Sequence, residues 1–256
     1  NGTPVLAKDV AFSLKVVKNP HTNCHRRRPY LEFITDFIFD ESNPRKFTLI
    51  ADKPYHLGEA ALDALYIIPA YFYDKAEKMK NYSVSDFSKS DFSEDTLMIH
   101  YANHFNSELF QREQVCGSGA YQKSKWLTNQ RIVLDKKQAW WGDKYLEDNM
   151  YFEAFPRKLV FEIIPDMNTA IAALRQGKID VLRRISLREF AENLPNDTAI
   201  TNKFELLSPD KISYDYSGFN TKGDLLKDVE LRKALSQMVN VDEVIEKLCY
   251  GLAVRT

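Results

Sequence analysis

The chain has 256 residues, with 35 Lys and Arg against 36 Asp and Glu, and a formal net charge of −1 supplies no field that would draw it to nucleic acid or an anionic bilayer. Hydrophobic residues, at 44%, are enough to fill a core for one large domain or two small ones, and only nine Gly and ten Pro exclude collagen-like or low-complexity structure. The longest apolar stretch, residues 60–73, contains Asp63 and Pro69 and is too short for a bilayer core about 30 Å thick, so no spanning helix is expected. Asn1-Gly2-Thr3-Pro4 lacks the basic start and apolar run of a secretory signal and leaves the compartment open. Cys24, Cys116 and Cys249 permit three different single disulfides and contain no C-x-x-C spacing, so their redox state is open too.

In chain order, Val10, Leu14 and Val17 fall at helical spacing, with lysines on the other face and Asn19-Pro20 as a stop, which predicts a surface helix. Residues 21–29 read as a polar, basic, mobile loop. Residues 31–39 are rich in aromatic and β-branched side chains, 40–44 turn the chain and 46–51 return, which predicts a β-hairpin. A helical pattern resumes near Gly58, and residues 81–95, mostly Ser, Asp, Lys and Phe, read as a solvated connection.

The second half is more clearly punctuated. A strand is predicted over 121–126, a short one over 130–136 and a longer one over 157–164, ended by Pro165. Asp166 is placed to cap a helix over 168–176, Gly177 suits the left-handed position past its end, and 179–182 reads as a strand. That strand–helix–strand unit implies a parallel or mixed sheet. Residues 211–220 alternate like a strand. Asp228 is placed to cap a helix bearing Leu231, Leu235 and Met238, and Asn240 with Glu243 makes a capping-box pattern before Val244, Ile245 and Leu248, with Gly251 at the end. No internal repeat of 20–50 residues is present.

Chemistry-bearing residues are few. His21, Cys24 and His25 are close enough in sequence for a soft metal, but Arg26, Arg27 and Arg28 beside them repel a divalent ion. His100 and His104 share i, i+4 spacing without the Glu of H-E-x-x-H. No metal and no cofactor is expected. Gly117-Ser118-Gly119 after Cys116 has the wrong spacing for a nucleophile elbow and too few glycines for a phosphate cradle, so it reads as a tight turn. Glu41, Asp52 and Asp215 are carboxylates with no sign of convergence. Among Trp126, Trp140, Trp141, Tyr145, Tyr214 and Tyr216, core packing is the default; the exception is 211–220, where Ser213, Tyr214, Asp215, Tyr216 and Asn220 offer rings, donors and acceptors as a pocket wall does.

Taken in order, several segments resemble the family 5 extracellular solute-binding proteins of ABC importers, which include oligopeptide-, dipeptide- and nickel-binding proteins. They are Pro4 to Leu14, Gly117-Ser-Gly-Ala-Tyr121 with Trp126, and Arg131-Ile-Val-Leu134 with Trp141-Gly142. Ile164-Pro-Asp166 with Ala170, Leu174 to Asp180, and Gly218-Phe-Asn-Thr-Lys222 leading into Asp228 to Leu235 complete the set. Two positions depart from the pattern: Leu6 and Ala7 stand near a usual Thr or Ser, which costs about 1 kcal/mol of capping, and Asn240 replaces a common Asp. Family members are typically twice this length, so the chain resembles an internal fragment.

The resemblance implies an α/β fold of the periplasmic binding protein type II class, with mixed sheets, flanking helices and an incomplete two-lobed clam. Residues 1–110 would be a small extra domain, 111–217 most of the first lobe and 218–256 the crossing into the second. It implies a monomeric, extracytoplasmic binding protein, periplasmic or lipid-anchored at the cell surface, that closes on a peptide or other small solute and delivers it to an ABC permease, without catalysis. Ser213, Tyr214, Tyr216 and Asn220 would belong to the solute wall. Two other readings compete: a hydrolase using Cys116 or a histidine, and a docking module without solute binding.

Overall fold

A computed structural model describes residues 2–63, 65–147, 149–209 and 214–255. They pack as two compact units, Asn1–Ile163 and Ile164–Thr256. This division differs from the 110/111 and 217/218 boundaries that the family layout suggests.

In the first unit, helix α1 (Ala7–Lys18) is buried on two sides. Its Ala7, Val10, Ala11, Leu14 and Val17 cluster with Leu31, Ile34 and Phe37, while Phe12 and Val16 cluster with Tyr73, Met79, Phe92, Met98, Tyr101 and Phe110. A helix that is apolar on opposite faces lies inside the fold. The expected surface helix is therefore a central one, because the stripe of Val10, Leu14 and Val17 leaves Phe12 and Val16 out of account. Lys15 and Lys18, assigned to water from the sequence, are each only 9% exposed. The Lys15 ammonium donates to the Met79 carbonyl at 2.6 Å and the Tyr82 carbonyl at 2.9 Å. Burial pushes both lysines below the ordinary lysine range, against a weaker pull from Asp74 and Asp86 on Lys15 and from Glu32 and Asp52 on Lys18.

Both ends of α1 are tied down by side chains. Asp9 makes up for the missing cap at Leu6, accepting from the Leu6 N–H at 2.9 Å and from the Ala70 N–H at 3.2 Å. At the other end Arg28 donates to the carbonyls of Val17 (2.9 Å), Asn19 (2.7 Å) and Thr22 (3.0 Å). Residues 21–29 are thus pinned rather than mobile, and they lead into α2 (Arg28–Leu31), whose Leu31 is fully buried.

Strands β1 (Ile34–Phe39) and β2 (Phe47–Ala51) form the expected antiparallel hairpin, with Phe37 opposite Leu49 and Phe39 opposite Phe47. Its turn is closed by Asp40, whose carboxylate accepts from the Ser42 and Asn43 N–H groups at 2.9 and 3.0 Å. Short helices α3 (Gly58–Leu62), α4 (Ala70–Tyr73) and α5 (Asp86–Lys89) follow, and then α6 (Thr96–Phe105), capped by Asp95. The solvated connection expected over 81–95 is instead anchored: Val84 and Phe92 are buried, and the Phe87 and Phe92 rings lie 4.7 Å apart. The phenylalanines, not the serines, decide where this segment sits.

Strands β3 (Tyr121–Leu127), β4 (Arg131–Lys136) and β5 (Lys158–Glu162) make a second antiparallel sheet in sequence order. Asn129, in the left-handed region at φ 59°, turns β3 into β4.

In the second unit, α7 (Met167–Arg175) begins at Asp166, which accepts from the Thr169 N–H at 2.8 Å, and ends at Gly177 with φ 66°, both as expected. Ile171 and Leu174 pack with Leu194 and with Ile200 of α8 (Thr198–Thr201). The strand expected over 179–182 does not form. No described strand pairs with it, and Ile179 and Leu182 spend their apolar surface on the α7 cluster instead. Helix α9 (Val229–Gln237) is capped by Asp228, and α10 (Val241–Glu243) by Asn240, continuing as a wider turn to Leu248. Among the described residues, no helix is long and apolar enough to cross a membrane.

Candidate functional site

The expected solute wall falls in the second unit. Ser213 lies outside the described residues, as do Lys211 and Ile212. Residues 214–220 form no regular strand. Tyr214 and Tyr216 are 71% and 79% exposed, and their ring centroids stand 5.8 Å apart at 44°. Gly218 lies against the edge of Tyr216: a Cβ there would approach its ring at 3.5 Å. Among the described residues, the main-chain groups of 214–219 make no main-chain hydrogen bond. Asn220 is partly engaged, since its Oδ1 accepts from the Lys222 N–H at 3.2 Å in a local turn. The structure thus brings the two tyrosines together on exposed backbone and directs the Asn220 oxygen back to its own loop.

The Gly117-Ser118-Gly119 turn has a different role from any the sequence suggests. The indole N–H groups of Trp140 and Trp141 both donate to the Ser118 carbonyl, each at 2.8 Å, and the Lys137 ammonium donates to the Gly117 carbonyl at 2.6 Å. Trp140 is buried and packs over Gly142, where any Cβ would overlap its six-membered ring. This double indole lock explains why two adjacent tryptophans precede a glycine. Only the Trp-Trp-Gly run hinted at it.

Cys116 sits beside that turn. Its N–H donates to the Tyr73 hydroxyl at 3.0 Å, and among the described residues no side chain hydrogen-bonds its sulfur. Burial raises the Tyr73 phenol above its ordinary value, so it is a weak acid there rather than a base. All three cysteines are free thiols. The histidines are spread among unrelated contacts: His21 with the Phe92 carbonyl at 3.1 Å, His100 with the Lys78 ammonium at 3.0 Å, and His104 edge-on to Phe110. Among the described residues no cluster of three His, Cys, Asp or Glu side chains is arranged for a metal.

The family model for bacterial extracellular solute-binding proteins, family 5 middle region, matches residues 1–256. The chain belongs to this family. The periplasmic oligopeptide-binding protein OppA of Salmonella typhimurium is 24% identical over 255 residues, which is 97% of this chain and 41% of OppA. The oligopeptide-binding protein AppA of Bacillus subtilis is 27% identical over 146 residues, 56% of this chain and 23% of AppA. Among solved structures, the ABC transporter-associated periplasmic binding protein DppA of Helicobacter pylori, in complex with peptide STSA, has a TM-score of 0.59 at 21% identity, covering 98% of this chain and 43% of DppA. NikZ of Campylobacter jejuni, in complex with Ni(L-His), has a TM-score of 0.56 at 22% identity, covering 96% of this chain and 40% of NikZ. These likenesses show the fold, an α/β periplasmic-binding-protein architecture of which this chain holds part. The chain spans from about a quarter to two-fifths of the length of these curated relatives.

The Gly117-Ser-Gly-Ala-Tyr121 run contains the turn held by the two indoles, and the exposed tyrosines lie just before the Gly218-Phe-Asn-Thr-Lys222 run.

Proposed function

We propose that the complete protein is an extracytoplasmic solute-binding component of an ABC importer, which closes two lobes on a peptide and delivers it to a membrane permease. One observation carries the peptide reading: among the described residues, the main-chain groups of 214–219 have no main-chain partner, and they lie beside the Tyr214 and Tyr216 rings. Unpaired main chain is the chemistry that recognises another main chain, giving affinity with little dependence on side-chain identity, while the rings cover the apolar parts of what binds. The names of the curated relatives, oligopeptide-binding proteins in both cases, support the same solute class.

In this reading Ser213, Tyr214, Tyr216 and Asn220 belong to one wall of the solute cleft, with the Asn220 side-chain amide N–H groups as donors. Residues 1–110 correspond to a small extra domain, 111–217 to most of the first lobe and 218–256 to the crossing into the second. The protein acts as a monomer, in the periplasm or lipid-anchored at the cell surface, and performs no covalent step.

The test is thermal unfolding of the full-length protein against peptide, sugar and nickel libraries. A peptide at a hundredfold excess over its Kd is expected to stabilise the protein by about 2.7 kcal/mol. Tyr216→Ala is expected to weaken binding at least about tenfold, or ~1.4 kcal/mol, without lowering the ligand-free melting temperature, since the ring is exposed. A flat response to every peptide would overturn the proposal.

A further inference from the structure

The first unit contains a cavity of about 250 Å³ that the solute-wall reading does not use, between α4, the turn after it, and α6. Its apolar lining is aromatic, from Phe72, Tyr73, Tyr101 and Phe110. Its polar lining is basic, from Lys75, Lys78, His100 and His104. Asp74 is the single carboxylate there, and both its oxygens are occupied by main chain: Oδ1 accepts from the Lys78 N–H at 2.9 Å and Oδ2 from the Met79 N–H at 2.8 Å.

Neither lysine has a carboxylate partner among the described residues. The Lys75 ammonium rests 5.7 Å from the centre of the Phe72 ring, and the Lys78 ammonium contacts His100 Nδ1 at 3.0 Å. An ammonium only donates, so Nδ1 is the acceptor and the neutral His100 ring carries its proton on Nε2. The cavity therefore combines an aromatic lining with two uncompensated cations and a ring N–H donor, in a chain whose overall charge is −1.

We propose that this cavity binds a small planar aromatic monocarboxylate. The ring of such a ligand lies against Phe72, Tyr73 and Phe110 in edge and offset contacts, and its carboxylate accepts from Lys78 and Lys75. Size restricts the ligand to a single ring, because drug-sized ligands occupy sites of about 300–1,000 Å³. The site lies wholly within the first unit and does not depend on peptide binding at 214–220.

Benzoate is the probe, with benzamide as its uncharged isostere, titrated into the isotopically labelled chain and followed by backbone amide NMR. Saturable shifts are expected at residues 72–78 and 100–110, with benzamide at least about tenfold weaker because it lacks the charge. Lys75→Met should weaken benzoate several-fold; Lys75 is exposed and makes no hydrogen bond among the described residues, so this variant keeps its fold, and Lys78→Met is the companion variant. The proposal fails if benzoate produces no saturable shift, if benzamide binds equally well, or if both lysine variants retain wild-type affinity. Shifts confined to 214–220 would place benzoate on the solute wall instead, and would also overturn it. A failure here leaves the peptide reading untouched, since that is measured with peptides on the full-length protein.

Discussion

Tyr101 offers a sharp test of the core. The residue is 2% exposed, and its buried hydroxyl has no hydrogen-bond partner among the described residues. A buried polar group left unpaired costs about 1–3 kcal/mol. Tyr101→Phe removes that group and keeps the ring, with its edge contact to Phe12 at 6.3 Å and its stacking on Phe105 at 6.0 Å. The oxygen leaves a void of roughly 10 Å³, which at about 24 cal/mol per Å³ returns only ~0.2 kcal/mol. The variant is therefore expected to be more stable by about 1–2 kcal/mol, read as a higher urea midpoint at unchanged slope. The effect should grow in alkali. Burial, and to a lesser extent Asp74, raises the Tyr101 phenol above its ordinary value of 10.0. Above that pH the unfolded chain loses a proton that the folded chain keeps, so wild-type stability falls as pH rises, and the phenylalanine variant escapes this loss. A variant less stable than wild type by 1 kcal/mol or more would refute the reasoning, because the hydroxyl would then have to be making a hydrogen bond.

Gly142→Ala forces a methyl into the Trp140 ring and is expected to cost about 1–3 kcal/mol, seen as a lower melting temperature and a changed tryptophan emission. Arg28→Met removes three hydrogen bonds to main-chain carbonyls at the end of α1 and should cost about 2 kcal/mol in urea unfolding, whereas Arg26→Met should change stability by less than about 0.5 kcal/mol; equal effects would mean that residues 21–29 are not pinned. Asp228→Ala removes a cap worth about 1 kcal/mol from α9, which has nine residues and no buried side chain, so amide exchange within α9 should accelerate several-fold. Asp166→Ala should leave α7 protected, because Ala170, Ile171 and Leu174 hold that helix by burial.

The features legible in the sequence are those whose cause is local. Asp166, Asp228 and Asn240 cap helices they directly precede, Gly177 adopts the left-handed conformation its position calls for, and the hairpin of β1 and β2 follows from a turn flanked by aromatic and β-branched runs. The expectations that differ from the structure concern residues whose partners lie far along the chain. Phe12 is a core residue because Tyr101 covers it, and Lys15 is dry because the Met79 and Tyr82 carbonyls receive it. Residues 179–182 have strand composition, yet a strand exists only when a neighbour supplies a ladder. The aromatic and basic cavity joins α4 and α6, elements whose proximity no spacing reveals.

The same distinction bears on the proposed solute wall. Around Tyr214 and Tyr216 polar and aromatic residues crowd one short run, and that crowding has a physical meaning: a segment destined for a core would not carry so many groups needing partners. In the second unit the consequence is visible, since Tyr214 and Tyr216 are exposed and, among the described residues, the main chain of 214–219 has no main-chain partner, while the Ile171, Leu174, Leu194 and Ile200 cluster forms without it. Met238 and Leu248, placed at helical spacing by the sequence, are likewise 80% and 67% exposed. Periodicity reveals which face of an element seeks cover, and composition reveals which segment seeks hydrogen bonds.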